Sequence, residues 1–296
     1  MYFRKLYYPV FFFFFPYCCI QSTPLLAQHF KAIQSKEGVE INENGKRVLF
    51  YQVKPKALDG KYERSGYIHP LYSLKGNIMT EDFPADHPYH HGIFWAWHQI
   101  ILAGKKVADG WTSDSISWRV GGLKIMRGKN KISLIAQVNW ITATDARKPV
   151  VLIKEKTIIT INAENKNQRV IDFDIRLLPR VDSISIAGSD DMKGYGGFCL
   201  RLKLPPDIEF VSNDSLVTPR ETAIDAGQSM DFRGSFDGLS APKSGVILIT
   251  TPIENDTQQS WILRKEGSMQ NIVYPGRTPV RLPKTGLRMR YQLIIH

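Results

Sequence analysis

Three consecutive runs of the chain decide the fold: KISLIAQVNWITA (Lys131–Ala143), PVVLIKEKTIITINA (Pro149–Ala163) and RVIDFDIRLLP (Arg169–Pro179). Each is rich in β-branched residues, and Asp, Asn, Pro and Gly cluster between them, the pattern of strands joined by turns. The same signals recur in both directions. VDSISIAG (Val181–Gly188) follows at once, and the C-terminal third supplies GVILITTP (Gly245–Pro252), QSWILRK (Gln259–Lys265) and LRMRYQLIIH (Leu287–His296). Toward the N-terminus, VEINENGKRVLFYQV (Val39–Val53) places Asn44-Gly45 between two alternating runs, the sequence of a two-residue hairpin turn. No stretch after residue 27 has the period of a long amphipathic helix, and no repeat or Pro/Ser-rich linker divides the chain. The expected fold is all-β, a single large antiparallel β-sandwich over residues 28–296, with any ligand site on a concave face or at the strand ends.

A length of 296 residues with 43% hydrophobic content allows a sizeable core and excludes a disordered chain. The first 28 residues read MYFRKLYYPVFFFFFPYCCIQSTPLLAQ: two bases, Arg4 and Lys5, then an apolar stretch from Leu6 to Ile20, then Leu25-Leu26-Ala27. That order is a signal peptide, residues 1–27, with cleavage after Ala27; Pro9 and Pro16 break it and it is too short for a membrane span. The expected destination is the periplasm or the extracellular space. Lipidation at Cys18 or Cys19 is the minor alternative, since Phe15-Pro16-Tyr17 is a poor lipobox. The formal charge of +11 stays strongly basic after that cut. The bases are scattered singly, without a basic helix, zinc module or RNA-binding motif, so a nucleic-acid partner is not expected. Only Cys199 remains in the mature chain, in a strand-like run where a cysteine is more often core than nucleophile.

Chemistry concentrates in TEDFPADHPYHHGIFWAWHQ (Thr80–Gln99), which holds four of the seven histidines. Carboxylates (Glu81, Asp82, Asp86), imidazoles (His87, His90, His91, His98) and aromatic walls (Phe94, Trp95, Trp97) are the materials of a polar small-molecule site. Pro88 and Gly92 bracket a turn, so the helical HExxH zinc pattern does not apply. A metal at the His87/His90 cluster, helped by Asp86 and His98, requires the loop to fold back on itself, and no cofactor is required by the sequence. General acid/base work needs a histidine oriented by a neighbour such as Asp86. Trp95, Trp97, Trp111 and Trp118 would suit a sugar ring, or else are ordinary core. By parity Trp95 and Trp97 share one face and His98 takes the other.

Parity also singles out Glu155, which falls among Val151, Ile153, Thr157, Ile159 and Ile161. An inward carboxylate needs a partner or a raised pKa, either of which makes it a candidate acid or base; a salt bridge to an arginine of the facing sheet is the alternative. Asp172, Asp174 and Arg176 form a charged strand face. Two further stretches contribute candidates: DDMKGYGGFCLRLKLP (Asp190–Pro205), with Asp191 and Lys193 at a strand mouth, and SMQNIVYPGRTP (Ser268–Pro279), with Arg277 able to grip a carboxylate or hydroxyl pair. Neither is followed by a helix that would cradle a phosphate, and no Ser/His/Asp elbow appears.

YIHPLYSLKGNIMTEDFPADHPYHHGIFWAWHQ (Tyr67–Gln99), KGYGGF, SMQNIVYPGR and the ending LRMRYQLIIH resemble the exported bacterial family of unknown function commonly labelled "methane oxygenase PmoA". The resemblance spans most of the chain and is densest from Tyr67 to Trp118. The family motif reads Asp-His-Pro-His-His-Arg-Gly; Asp86, His87, Pro88, His90 and Gly92 match it, whereas Tyr89 and His91 depart. A genuine particulate methane oxygenase subunit is a multi-helix membrane protein, which nothing after residue 27 allows. The resemblance implies a galactose-mutarotase-like supersandwich, in which a histidine and a carboxylate on a concave sheet handle sugars. Three functions follow as expectations. The first is an exported carbohydrate-active enzyme using His87 or His90 with Glu155 in hydrolysis, elimination or epimerisation, its substrate held by Asp86, Trp95, Trp97, His98, Asp191, Lys193 and Arg277. The second is a non-catalytic carbohydrate-binding protein. The third, and least favoured, is metal-dependent oxidation.

Overall fold

The computed structural model describes residues 1–2, 30–142, 148–253, 260–266 and 269–296. Nearly all of the signal segment expected over residues 1–27, with Cys18 and Cys19, lies outside them. The described residues contain no helix, and so none long and apolar enough to cross a membrane.

The three deciding runs form the strands Lys131–Thr142, Val150–Asn162 and Arg169–Pro179, adjacent and antiparallel in a nine-stranded sheet. Ser117–Arg127 flanks them on one side. On the other, the C-terminal strand Leu287–Ile295 inserts between Arg169–Pro179 and Ser244–Thr250. Their pleat puts Ile132, Leu134, Ala136, Val138 and Trp140 on a buried face, while the residues between them are half-buried or exposed. The outward face carries Asp172, Asp174 and Arg176 as expected. Its acids are already engaged: Asp174 accepts from Arg288, and Asp172 from Asn162 and Gln292.

A second nine-stranded sheet faces the first. Its order is Phe30–Gln34, Gly38–Glu43, Lys46–Gln52, Tyr67–Leu71, Ile93–Trp97, Gly196–Leu200, Gln270–Val273, Ser260–Ile262 and Ile224–Asp225. The Asn44-Gly45 turn is formed as the sequence predicts: Glu43 opposes Lys46, and both turn residues have positive φ, 49° and 81°. A four-stranded sheet containing Gln99–Leu102 and Ile184–Ala187 closes one end. The two large sheets share one core. Phe198 of Gly196–Leu200 stacks on Tyr291 of the facing sheet at 4.3 Å and meets Phe173 edge-on at 5.2 Å.

Ile93–Trp97 is central in its sheet and buried on both sides. Ile93, Trp95 and Trp97 face the other large sheet, whereas Phe94 and Ala96 join Tyr67, Trp111, Cys199 and Met269 in a separate cluster on the outer side. That outer face is not left to solvent. The segment from Tyr72 to His91 folds over it, fixed by the bridge of Thr80 to Leu202 and by hydrogen bonds from Lys203 to Met79 O and from Leu71 to Thr80 Oγ1. His87, His90 and His91 are carried on this cover, and His98 follows the strand it covers.

Candidate functional site

Gly92 ends the cover and starts the strand. A Cβ there would lie 2.2 Å from Ile68 O, so only glycine permits the close approach of the two backbones. Gly92→Ala is expected to cost about 1–3 kcal/mol, because backbone rather than a flexible side chain must move. Urea denaturation measures it, and an unchanged midpoint would show that the approach is not needed.

Around this point the rings form a series. His87 and His90 stack in parallel, centroids 4.7 Å apart with 1° between planes. His90 meets Trp111 edge-on at 5.8 Å, His98 stacks on Trp111 at 5.1 Å, and Tyr195 packs against Trp111 at 5.3 Å. Tyr89 abuts His90 at 4.9 Å and Tyr62 lies beyond it. Trp111 and His90 are buried under half-buried His87, Tyr89, His98 and Tyr195. The result is a wall of rings with polar edges.

Three of the four imidazoles between Thr80 and Gln99 are held by a carboxylate. His87 Nδ1 is 2.7 Å from Asp86, His98 Nδ1 3.0 Å from Asp109 and His91 Nδ1 2.8 Å from Asp82. An ionised carboxylate only accepts, so in the neutral imidazoles Nδ1 carries the proton and Nε2 keeps the lone pair. Burial alone would raise Asp86 and Asp109. Hydrogen bonds from His87 and Arg201 outweigh it at Asp86, and those from His98, the Thr112 amide and Lys106 outweigh it at Asp109; both are held at about 2. Asp82, bound by His91, Lys56 and Tyr67, is likewise held below the usual range against burial.

The two central imidazoles behave differently. Burial, reinforced by His87 and the Arg201 guanidinium, pushes His90 down to about 2, and its Nδ1 is buried without a partner among the described residues. Burial pushes His91 down to about 4 although Asp82 opposes it, and its Nε2 is likewise unpartnered. Both stay neutral at pH 7. Arg201 fastens the arrangement, giving Nε to Glu81 at 2.8 Å and Nη2 to Asp86 at 2.7 Å. Beside it lies a cleft of about 510 Å³ lined by Glu81, Asp86, Arg201 and Lys203.

The structure brings His87, His90, Asp86 and His98 together on this face. Glu155 and the two tryptophans are elsewhere. Parity is right that Glu155 points inward, but its carboxylate is 2% exposed between the sheets. It accepts Trp95 Nε1 at 2.8 Å, Trp140 Nε1 at 2.9 Å and Thr157 Oγ1 at 2.6 Å. The partners are two indoles and a hydroxyl rather than the arginine of the alternative reading; burial raises its pKa and these hydrogen bonds oppose the rise. Trp95 and Trp97 are core, Trp97 donating to Tyr274 O at 2.6 Å. They lie on the opposite face of their strand from the imidazoles, as does Glu155 beyond them. Asp191 accepts from Ser189 Oγ and from the amides of Lys193 and Gly194, which makes it a turn-former, and Arg277 pairs with Asp190 in the open. Lys193 lies beside Tyr195. Cys199 is a core thiol, pushed up by burial.

Three participants escape the sequence reading: the Asp82–His91 pair, the Asp109 partner of His98, and Arg201. A parallel stack also bears on the metal expectation. In-plane lone pairs of two rings in parallel planes do not converge on one ion at the roughly 2.1 Å that zinc requires. Among the described residues no three His, Cys, Asp or Glu side chains converge as a metal-holding group.

The sheets and this face define an antiparallel β-sandwich with a polar, ring-lined surface on the outer side of one sheet. Residues 38–296 match the model of a family of unknown function, DUF6807, and the chain belongs to that family. The methane oxygenase label suggested by the motifs is not part of that finding. No curated protein matches the sequence. Among solved structures the chain is similar to the crystal structure of the GalM/aldose epimerase homologue from C. elegans, with 9% identity and a TM-score of 0.26, covering 91% of this chain and 98% of that one. So low a score carries no weight for the fold or the function, and the sandwich stands on its own sheets.

Proposed function

We propose that the outer face is the site of a carbohydrate-active enzyme that takes a proton from a sugar or glycoside and returns one, using imidazoles oriented by carboxylates. The observation that carries this reading is the presence of two half-buried dyads, His87–Asp86 and His98–Asp109, at the ends of the ring series His87, His90, Trp111, His98. Neither Nε2 has a hydrogen-bond partner among the described residues, so each is a lone pair ready to accept a proton. The half-exposed rings of Tyr89 and Tyr195 supply apolar faces for a pyranose, and the anionic carboxylates stabilise the imidazolium once it forms.

Elimination or epimerisation suits this face better than hydrolysis by a pair of carboxyls. A hydrolase of that kind needs one carboxylic acid to protonate the leaving oxygen. Here Asp82, Asp86 and Asp109 are all held ionised by their partners. The acid is therefore an imidazolium or a phenol such as Tyr89, whose proton burial retains. His87→Ala is expected to lower kcat/KM by about a hundredfold with the melting temperature unchanged, measured on a panel of glycosides and oxidised glycosides. Wild-type turnover that survives in both the His87→Ala and His98→Ala variants would overturn the assignment.

A binding protein without turnover is the second reading, favoured by the burial of His90 at 2% exposure. Saccharide binding by the wild-type protein with no product from any member of the panel would select it. Export belongs with either reading: N-terminal sequencing of the secreted protein is expected to begin at Gln28, and a retained Met1 would contradict it.

A further inference from the structure

Beyond Tyr195 the ring wall runs into a second cleft, of about 430 Å³, lined by Lys193, Arg220, Glu221, Arg264 and Lys265. Four cations face one carboxylate. Among the described residues none of the four makes an ion pair; Lys193 and Arg264 are half-buried, Arg220 and Lys265 are exposed, and Lys193 also acts on the Asp191 carboxylate. Arg264 explains how the charge is held there. Its Nη1 donates to Arg220 O and Leu263 O, and its Nη2 to Tyr195 Oη and Glu221 O, all within 2.9 Å. The four donor positions of these two nitrogens are filled by neutral oxygens, so the guanidinium is fixed in place while its charge stays uncancelled. The same bonds tie the 220–221 segment to the strand end and to Tyr195, whose ring packs on Trp111. Among the described residues the side chains of Lys193, Arg220 and Lys265 donate no hydrogen bond.

We infer that this cleft is the subsite for an acidic substituent, so that the saccharide taken by the neighbouring ring wall is anionic. The inference rests on the carbohydrate reading of that wall and names the class of sugar within it. The wall supplies ring faces and proton transfer, and the cleft, joined to it by the Arg264–Tyr195 hydrogen bond, supplies the counter-charge. Lysine ammonium groups act as point charges without a preferred fork geometry, so carboxylate and sulfate ester share the chemistry. A fixed, unpaired guanidinium adds attraction without further ordering of the side chain.

The test presents the full chain with oligosaccharides of one backbone in neutral, uronate and sulfate-ester forms on an array, followed by calorimetric titration. The wild-type protein is expected to bind an acidic form at least about tenfold more tightly than the neutral form, with the preference shrinking as salt rises. In the K193E/K265E variant the preference is expected to vanish while binding of the neutral form persists. The uronate and sulfate arms then say which acid is preferred. Equal wild-type binding of neutral and acidic forms, or a preference that survives in K193E/K265E, overturns the subsite and leaves the carbohydrate reading standing. Binding of no saccharide in any form overturns both.

Discussion

Glu155→Ala is expected to lower the unfolding free energy by about 3–5 kcal/mol, among the largest losses available to one substitution in this chain. The carboxylate is the common acceptor for two indole N–H groups, one from each large sheet, and for the Thr157 hydroxyl. Its removal strands all three donors where no water reaches them and leaves a cavity besides. It also removes the anion that supports the Arg64 charge, which burial already pushes down to about 10. Among the described residues Arg64 has no carboxylate partner of its own; it lies over Trp118 and donates to two backbone carbonyls. Glu155→Gln keeps an oxygen for the indoles and is expected to recover most of the loss. Urea denaturation of both variants measures the pair. A cost below about 1 kcal/mol for alanine would mean that the indoles find other acceptors. Because Glu155 faces away from the imidazoles, folded Glu155→Gln is also expected to retain turnover, which separates a structural carboxylate from a catalytic one.

Acid is the second large effect, and its sign follows from burial. His90 and His91 have folded-state pKa values of about 2 and about 4, below the ordinary 6.5. An unfolded chain therefore takes up protons that the folded chain refuses. The stability they contribute is complete above pH 6.5 and is lost as pH falls from there toward 4 and below. Each imidazole adds a slope approaching about 1.4 kcal/mol per pH unit in that window, which is several kcal/mol for the pair by pH 4. Asp86 and Asp109, held at about 2, add a further loss between 3.8 and 2. Glu155 works in the opposite direction: its raised carboxyl favours the protonated form, so its contribution is lost as pH rises and partly offsets the trend. The urea midpoint is expected to fall steadily from pH 7 to pH 4, and His91→Gln, which can still donate to Asp82, is expected to flatten the fall. A midpoint constant over that range would show that the imidazoles are solvated.

The sandwich was legible where the signal is local. Asn44-Gly45 dictates its own turn, and the alternation in Lys131–Thr142 and Val150–Asn162 states which side chains share a face. Parity even placed Glu155 inward and put Trp95 and Trp97 opposite His98. It could not say which of those faces is the core, because Ile93–Trp97 is buried on both sides and reads as one apolar run. The partner of Glu155 was illegible for a related reason: it depends on how one sheet is laid over the other, which no single strand encodes. The same limit hid the pairs that orient the imidazoles. Asp82 and His91 are nine residues apart and His98 and Asp109 eleven, joined across turns rather than at a helical or strand repeat. Arg201 and Arg264 reach the site from just past the ends of strands far away in the chain.

The six residues after Gly92 alternate strictly between two layers, with Ile93, Trp95 and Trp97 inward and Phe94, Ala96 and His98 outward. For the evolutionary record of this segment the consequence is a fixed length. Substitutions can be absorbed one layer at a time, but a single residue inserted or deleted just after Gly92 would exchange the layers, driving Trp95 and Trp97 into the covered outer layer and turning His98 inward toward Glu155. Among relatives that keep this site, gaps should fall in the turns at 72–78 and 103–104, and none within the strand.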